Sequence, residues 1–171
     1  MTKVICLTGG IASGKSTAAR FLQEQGAHVI DADVLGHRTY EPGSPTHAQV
    51  VAAFGRDILA ADGRIDRKAL GAKVFGRPAE LKKLTDIVWP AIRALAEEEV
   101  AKVRGAGTAR VIVLEAAVLF EAGWQDIGDE VWVNIVEREI AIARADVVID
   151  NSGTPEAMLA QLRSHWQRIN A

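Results

Sequence analysis

The stretch Gly9-Gly10-Ile11-Ala12-Ser13-Gly14-Lys15-Ser16 has the residue types and spacing of a phosphate-binding loop, GxxxxGK(S/T). Glycines let the backbone curl so that successive N–H groups point at phosphate oxygens. A lysine at this position reaches the β- and γ-phosphates, and the following hydroxyl is placed to hold Mg²⁺. The loop therefore predicts a site for a nucleoside triphosphate with Mg²⁺, and the alternative is an ordinary glycine turn with a solvated lysine.

Acidic residues follow two predicted strands, where open α/β sheets place their ligand crevice. Asp33 comes just after the second strand, and a carboxylate there accepts the proton of an attacking hydroxyl in phosphoryl transfer. The alternative is that Asp31 or Asp33 caps a helix that begins at Val34. The sequence alone leaves these two interpretations open.

Glu115 ends the third predicted strand, where phosphate-binding-loop proteins place an acid that helps to hold the metal. Its alternative is a solvated surface carboxylate, and the nearby Glu121 is open to the same two interpretations. Four basic residues earlier in the chain are open to two interpretations: they contact an anionic acceptor, or they lie on a solvated face. They are Arg64, Arg67, Lys68 and Lys73.

The elements that position the loop form a βαβ unit. Val4–Thr8 is a short apolar run typical of a buried parallel strand, Lys15–Gln25 has helical spacing, and Ala27–Ile30 is a second apolar run. The loop thus lies between a strand and a helix, which is the context that its chemistry requires.

Residues 34–104 show helical patterns and hardly any strand. Asp66 is a predicted N-cap for a helix through Phe75, Pro78 starts the next helix, and Pro90 bends or restarts it. Three further strands and one helix follow. The strands are Arg110–Leu114, Val131–Val136 and Val147–Asp150, and the helix begins after Thr154. Strands alternating with helices indicate an α/β fold with a parallel sheet.

Composition restricts the function classes. The net charge of −2 gives no electrostatic argument for binding nucleic acid or an anionic membrane. The single cysteine, Cys6, cannot form an internal disulfide and lies in an apolar run, which is typical of a buried thiol in a reducing compartment. No apolar run approaches the roughly 20 residues of a membrane span, and we see no signal peptide. We therefore expect a cytoplasmic protein.

Three tryptophans, Trp89, Trp124 and Trp132, are expected in the core.

Six segments in chain order carry a family resemblance: TGGIASGKST, VIDADVLGH, EPGSP, FGRDILAADGRIDRKALGAKVF, AAVLFEAGW and ADVVIDNSGT. In order and spacing they resemble the dephospho-CoA kinase family, over nearly the whole chain. Members transfer the γ-phosphate of ATP to the 3′-hydroxyl of dephospho-CoA. The resemblance implies an α/β, P-loop nucleoside triphosphate hydrolase-like sheet flanked by helices, a helical substrate-binding insertion and a mobile lid.

The resemblance also implies roles for individual residues. It makes Asp33 the general base and places Asn151 near the adenine. The catalytic role of Lys15 and the assignment of Ser16 and Glu115 to Mg²⁺ come from the loop chemistry described above. The implied nucleotide ligands in the loop are Gly10, Ala12, Ser13, Gly14, Lys15, Ser16 and Thr17. The expected organisation is a core of residues 1–33 and 106–171 with a helical substrate-side subdomain of about 34–105.

Three departures from the family pattern are substitutions within short motifs. Ala12 replaces a usual glycine, and we expect its methyl group to be tolerated. Trp89-Pro90 stands where many bacterial members have His-Pro, and Glu115-Ala-Ala-Val where they have Asp-Val-Pro-Leu. The last two resemble the kinase domain of the animal-type bifunctional CoA synthase, of which only the kinase activity is implied here.

The fourth departure is a missing lid, expected near residues 136–138. Only Glu137–Ala145 separates the last two predicted strands, whereas a right-handed parallel crossover needs about 10–12 residues. Either the strands are antiparallel or not neighbours, or the chain carries further residues here, or it is really shortened. We expect further residues and a protein heavier than 18.4 kDa. Arg138 and Arg144 are candidate residues at the base of the lid.

Two alternatives to a dephospho-CoA kinase remain from the sequence. One is another small-molecule or nucleotide kinase of this architecture, against which Phe54–Phe75 argues. The other is a nucleotide-binding module without a lid that catalyses nothing. The expected ligands are ATP, Mg²⁺ and dephospho-CoA. A monomer is plausible, and we expect neither nucleic acid nor membrane as a partner.

Overall fold

The structure is a computed structural model that describes residues 1–136 and 143–171. The described chain contains five strands and six α-helices, and four of the helices follow one another between the second and third strands. The strands are β1 (Lys3–Gly9), β2 (His28–Asp31), β3 (Val111–Glu115), β4 (Glu130–Ile135) and β5 (Val147–Asp150). The helices are α1 (Lys15–Glu24), α2 (Ala32–Thr39), α3 (Pro45–Phe54), α4 (Arg67–Val74), α5 (Pro78–Ala106) and α6 (Pro155–Asn170). These positions confirm the predicted strands and terminal helices to within two residues.

The five strands form one parallel sheet in the order β2-β3-β1-β4-β5. The central strand β1 is buried from Val4 to Gly9, because a parallel sheet is covered on both faces. In the register of the sheet, Leu7 lies opposite Glu115 of β3, and Gly9 lies opposite Asn134 of β4. The parallel α/β sheet predicted from the sequence is therefore confirmed.

One face of the sheet carries a core that α1 and α6 close. Phe21 and Leu22 of α1 and Met158 and Leu162 of α6 pack with alternate residues of the strands, including the fully buried Trp132. The α6 helix starts as predicted, because the Thr154 hydroxyl accepts a hydrogen bond from the Ala157 N–H at 3.2 Å and Pro155 occupies the first turn. The helices that flank the phosphate-binding loop are thus anchored by apolar burial.

Two compact units make up the chain: Met1–Ala32 with Ala96–Ala171, and Asp33–Leu95. The first contains the sheet. The second is helical, and its helix starts follow from side-chain caps. The Ser44 hydroxyl accepts the His47 N–H, and the Asp66 carboxylate accepts the N–H groups of the two residues after Arg67. Leu59 and Ile65 form an isolated antiparallel bridge between α3 and α4.

Pro90 neither ends nor restarts a helix. The α5 helix runs without interruption from Pro78 to Ala106 with Pro90 inside it, so the predicted restart is wrong. Proline removes one backbone N–H, and burial of Leu84, Val88 and Ile92 on the same helix compensates for that loss.

The connection between β4 and β5 departs from expectation. The two strands are parallel neighbours, with Trp132 opposite Val147, so the proposals that they are antiparallel or separated are wrong. Because β4 ends at Ile135, the connection is Val136–Asp146, 11 residues, which meets the lower limit of about 10–12 for a crossover. The full sequence of 171 residues contains nothing more at this point, so the expected extra residues are absent and the chain is short here. The predicted lid position near residues 136–138 lies outside the described residues except for Val136, and Arg138 lies outside them as well.

Within the described residues, no helix combines the length and apolarity that a membrane span requires.

Candidate active site

The phosphate-binding loop connects β1 to α1. Its backbone turns through two left-handed conformations, at Ala12 (φ 59°) and Gly14 (φ 84°), and the Ser13 N–H donates to the Gly10 carbonyl at 3.2 Å. Gly14 precedes the first residue of α1, so the loop leads directly to the N-terminus of that helix. Residues 9–17 and Ala117 line a depression of about 510 Å³. The loop and its strand–loop–helix context are as predicted.

Lys15, Ser16 and Glu115 come together at one side of this depression. The Lys15 Nζ lies 2.6 Å from Glu115 Oε1, and the Ser16 hydroxyl donates to the same oxygen at 3.4 Å. The contact follows from the sheet, because β1 and β3 are neighbours and Glu115 ends β3 beside the strand that leads into the loop. Glu115 is 8% exposed, so it is a buried, paired carboxylate and not the solvated surface residue of the alternative interpretation.

The pair of oxygen donors suits Mg²⁺. A serine hydroxyl and a carboxylate 3.4 Å apart are hard ligands of the kind that Mg²⁺ prefers. Among the described residues, no group of three or more His, Cys, Asp or Glu side chains could hold a metal. That fits a magnesium ion held by one or two protein groups together with water and phosphate oxygens.

Asp33 lies in the first turn of α2, in the helical unit. Because this helix begins at Ala32, Asp33 lies inside it and does not precede it, so Asp33 does not cap a helix beginning at Val34. Asp31 takes the position before the helix. Asp33 is exposed, and its role as general base stays a prediction.

The helical unit contains a second cavity, of about 550 Å³. It is lined by His37, Tyr40, Glu41, Pro42, Arg64, Ile65 and Arg67. Arg67 makes a short hydrogen bond to His37 Nε2. Because a guanidinium only donates, His37 Nε2 accepts, which assigns the ring proton to Nδ1. Burial raises the pKa of the Tyr40 hydroxyl, and the Arg67 charge opposes that change.

Two of the four predicted basic residues line this cavity, and two do not. Arg64 and Arg67 contribute to its wall. Lys73 instead donates to Asp57 at 2.7 Å and to the Phe54 carbonyl at 2.5 Å, and Lys68 is exposed. Sequence analysis missed His37 and Tyr40, although His37 lies four residues after Asp33 and hence on the same side of α2.

The structure also shows the surroundings of several other residues that the sequence analysis singled out. The Asn151 side chain donates to the Ser13 carbonyl at 3.1 Å, so it contacts the phosphate-binding loop, and its place near an adenine stays a prediction. The Arg144 guanidinium lies over the Phe120 ring, 4.5 Å from its centroid. Glu121 is exposed. Trp124 and Trp132 are buried as predicted, whereas Trp89 is only half-buried.

Comparison with known proteins agrees with this geometry. The family model for dephospho-CoA kinase matches residues 3–168. A dephospho-CoA kinase from Geobacter sulfurreducens is 44% identical, covering 96% of this chain and 98% of the relative. One from Geobacillus kaustophilus is 45% identical, covering 97% of this chain and 81% of the relative.

Solved structures show the same fold. A Thermus thermophilus protein, TT1252, aligns with a TM-score of 0.75 and 29% identity over 98% of this chain and 97% of its own. A dephospho-CoA kinase from Campylobacter jejuni has the same TM-score at 23% identity, covering 99% of this chain and 98% of its own. With a family match across almost its entire length, and a phosphate-binding loop whose lysine and serine contact Glu115, the chain belongs to the dephospho-CoA kinase family.

Proposed function

We propose that this protein transfers the γ-phosphate of ATP to the 3′-hydroxyl of dephospho-CoA, giving CoA and ADP. The observation that supports this most directly is the contact of Lys15 and Ser16 with Glu115 beside the phosphate-binding loop. It assembles the charge and oxygen donors that phosphoryl transfer needs, in a chain of the dephospho-CoA kinase family.

On the nucleotide side, the loop amides and Lys15 bind the β- and γ-phosphates and offset their negative charge. Lys15 is held beside Glu115 before it meets phosphate, so the ammonium group is already located at the depression and little side-chain entropy is lost on binding. Ser16 and Glu115 would hold Mg²⁺, which neutralises charge on the phosphates when bound.

On the acceptor side, Asp33 accepts the proton of the 3′-hydroxyl. The hydroxyl oxygen then forms a bond to the γ-phosphorus, while the bond from that phosphorus to the β–γ bridging oxygen breaks and ADP leaves. The protein supplies mainly orientation and charge stabilisation, since this chemistry needs no covalent intermediate.

The cavity of the helical unit is the proposed binding site for dephospho-CoA, an anionic nucleotide with a diphosphate. Arg64 and Arg67 provide fork-shaped cations that suit phosphate oxygens, and Tyr40 provides a ring surface. His37 lies one helical turn beyond Asp33, about 6 Å along the axis. That separation is comparable to the distance between a ribose 3′-hydroxyl and the 5′-phosphate of the same nucleotide. One molecule of dephospho-CoA can therefore contact both Asp33 and His37.

The decisive experiment is to incubate the purified chain with ATP, Mg²⁺ and dephospho-CoA and to measure CoA by mass spectrometry. We expect CoA and ADP in equal amounts. A panel of other hydroxyl acceptors provides the control, and phosphorylation of another acceptor without formation of CoA would overturn the proposal.

A second candidate is a nucleotide-binding module without kinase activity, which the short connection between β4 and β5 favours. The alignment with the Geobacter sulfurreducens relative spans 193 residues, more than the 171 of this chain, so that relative carries residues with no counterpart here. Nucleotide binding with no phosphorylation of any acceptor would establish this function instead.

A further inference from the structure

Two side-chain amides hold one carbonyl of the phosphate-binding loop. Asn134 Nδ2 and Asn151 Nδ2 both donate to the Ser13 carbonyl oxygen, at 3.4 and 3.1 Å. The sheet brings them there, because Asn134 on β4 lies opposite Gly9 of β1 and the Asn151 N–H donates to the Ile135 carbonyl at 2.8 Å. The two amides therefore reach the loop from the carboxyl ends of two neighbouring strands.

Fixing this carbonyl also fixes the next N–H group. In a trans peptide the carbonyl and the following N–H point in opposite directions. With the Ser13 oxygen directed at the two asparagines, the Gly14 N–H is directed away from them, and Gly14 lines the depression. A Cβ on Gly14 would lie 2.4 Å from Asn151 Nδ2, so the absence of a side chain lets the amide approach this closely.

The burial of Asn134 indicates that protein stability alone does not explain why an asparagine occupies this position. Its side chain is 0% exposed in a strand whose other inward residues are apolar, such as Trp132 and Val133. Among the described residues, its Oδ1 has no hydrogen-bond partner. A buried acceptor without a partner costs free energy that an apolar residue of the same size avoids. What the asparagine adds is the donated bond to the loop, together with a weaker contact of the same nitrogen with Met158 Sδ at 3.6 Å.

We infer that Asn134 and Asn151 are positioning residues for nucleotide binding: they orient the Ser13–Gly14 peptide so that the Gly14 N–H is presented to a phosphate oxygen. The inference rests on the proposed function in one respect, since it takes the loop to bind ADP and ATP. It concerns how the loop is held and not which acceptor is phosphorylated.

The test uses Asn134→Leu and Asn151→Leu, which keep the side-chain size and remove the donor. Equilibrium titration with ADP should show affinity reduced roughly three- to tenfold in each variant, the value of one hydrogen bond. KM for dephospho-CoA should not change. The midpoint of thermal unfolding of Asn134→Leu should equal or exceed that of the wild type, because the unpaired acceptor is gone.

Asn170→Leu is the matched control. Its amide donates to the Trp166 carbonyl at 3.0 Å near the end of α6 and does not contact the loop. It should bind ADP as tightly as the wild type.

Wild-type affinity for ADP in Asn151→Leu would overturn the inference, and this half-buried position decides the question if Asn134→Leu does not fold. Failure of the wild type to bind ADP would count against the proposed function instead.

Discussion

Asp33 is the residue on which the proposed chemistry depends most directly. Asn at this position keeps the shape of the side chain and removes the proton acceptor, so Asp33→Asn should reduce kcat by about 10²–10⁴. ATP affinity should be unchanged, since Asp33 belongs to the helical unit and not to the phosphate-binding loop. Steady-state kinetics with an ATP-binding titration provide the measurement.

Asp86→Asn is the control for that variant. Asp86 is exposed on α5 and pairs with Lys82 one turn away, so its loss should leave kcat unaltered. Turnover near the wild-type rate in Asp33→Asn would remove the general-base role and leave the carboxylate with a structural role at the start of α2.

Residues that belong to a local motif were predicted, and residues that depend on tertiary pairing were not. The order of residues in the loop is sufficient to identify Lys15 and Ser16, because the chemistry is encoded in consecutive positions. Asn134 is a lone polar residue in an apolar run, and no pattern in the sequence marks it. Its contact exists only because β4 pairs with β1 in one register.

Packing between elements is close at Gly128, two residues before β4 begins. A Cβ added there would lie 2.7 Å from Cys6 Sγ and 3.0 Å from the Val4 carbonyl. Both neighbours belong to the central strand and cannot move freely, so Gly128→Ala should destabilise the protein by about 1–3 kcal/mol. Chemical denaturation measures this directly.

Gly71→Ala gives a matched comparison. Gly71 lies inside α4 with nothing within 4 Å of an added Cβ, so alanine should stabilise the protein by about 0.5–1 kcal/mol. An equal response of both variants would contradict the close approach at Gly128.

The contact between α6 and β4 should make stability sensitive to acid. Arg168 donates to both Glu130 oxygens, at 2.9 and 2.6 Å, and this hydrogen bonding lowers the pKa of Glu130 from 4.5. Burial, followed by the Arg168 charge, lowers the pKa of His165 from 6.5. Glu130 and His165 both bind protons more readily in the unfolded chain than in the folded protein. The contribution of each group to folding stability is therefore fully present above its ordinary pKa and is lost as pH falls through its lowered pKa in the folded protein.

Glu130 and His165 titrate in different pH ranges, and two variants distinguish their contributions to the loss of stability in acid. His165→Phe keeps a ring against Trp132 and should flatten the loss of stability just below pH 6.5. Arg168→Ala should destabilise at neutral pH by less than about 1 kcal/mol, because Arg168 is half exposed. The difference from wild type should begin to shrink below pH 4.5 and disappear once pH is below the lowered pKa of Glu130. Urea titrations across this range provide the data, and parallel curves for all three proteins would contradict the assignment.

Element positions were predicted well where local signals were strong. Thr154 and Asp66 mark helix starts through their caps, and the structure places helices there. Pro90 misled the prediction, because tertiary burial of α5 outweighs a local helix-breaking signal. Pairing of β4 with β5 also escaped prediction, since the connection length lies at the limit that separates the alternatives.

For the whole molecule, the connection between β4 and β5 is only 11 residues long. Intact-mass spectrometry of the purified protein should give 18.4 kDa, the mass of the 171 residues. A heavier species with internal peptides not found in this sequence would show that the connection is longer in the protein than 11 residues and would restore the expected lid.

The single cysteine offers a reporter for global opening. Cys6 is 0% exposed on the central strand, so a thiol reagent reaches it only when the sheet separates. The rate of labelling therefore measures how often the whole domain unfolds, with no engineered probe. ADP should slow that rate by a factor of one plus the ratio of the free ADP concentration to Kd, so the labelling rate at several ADP concentrations reports the affinity for the nucleotide.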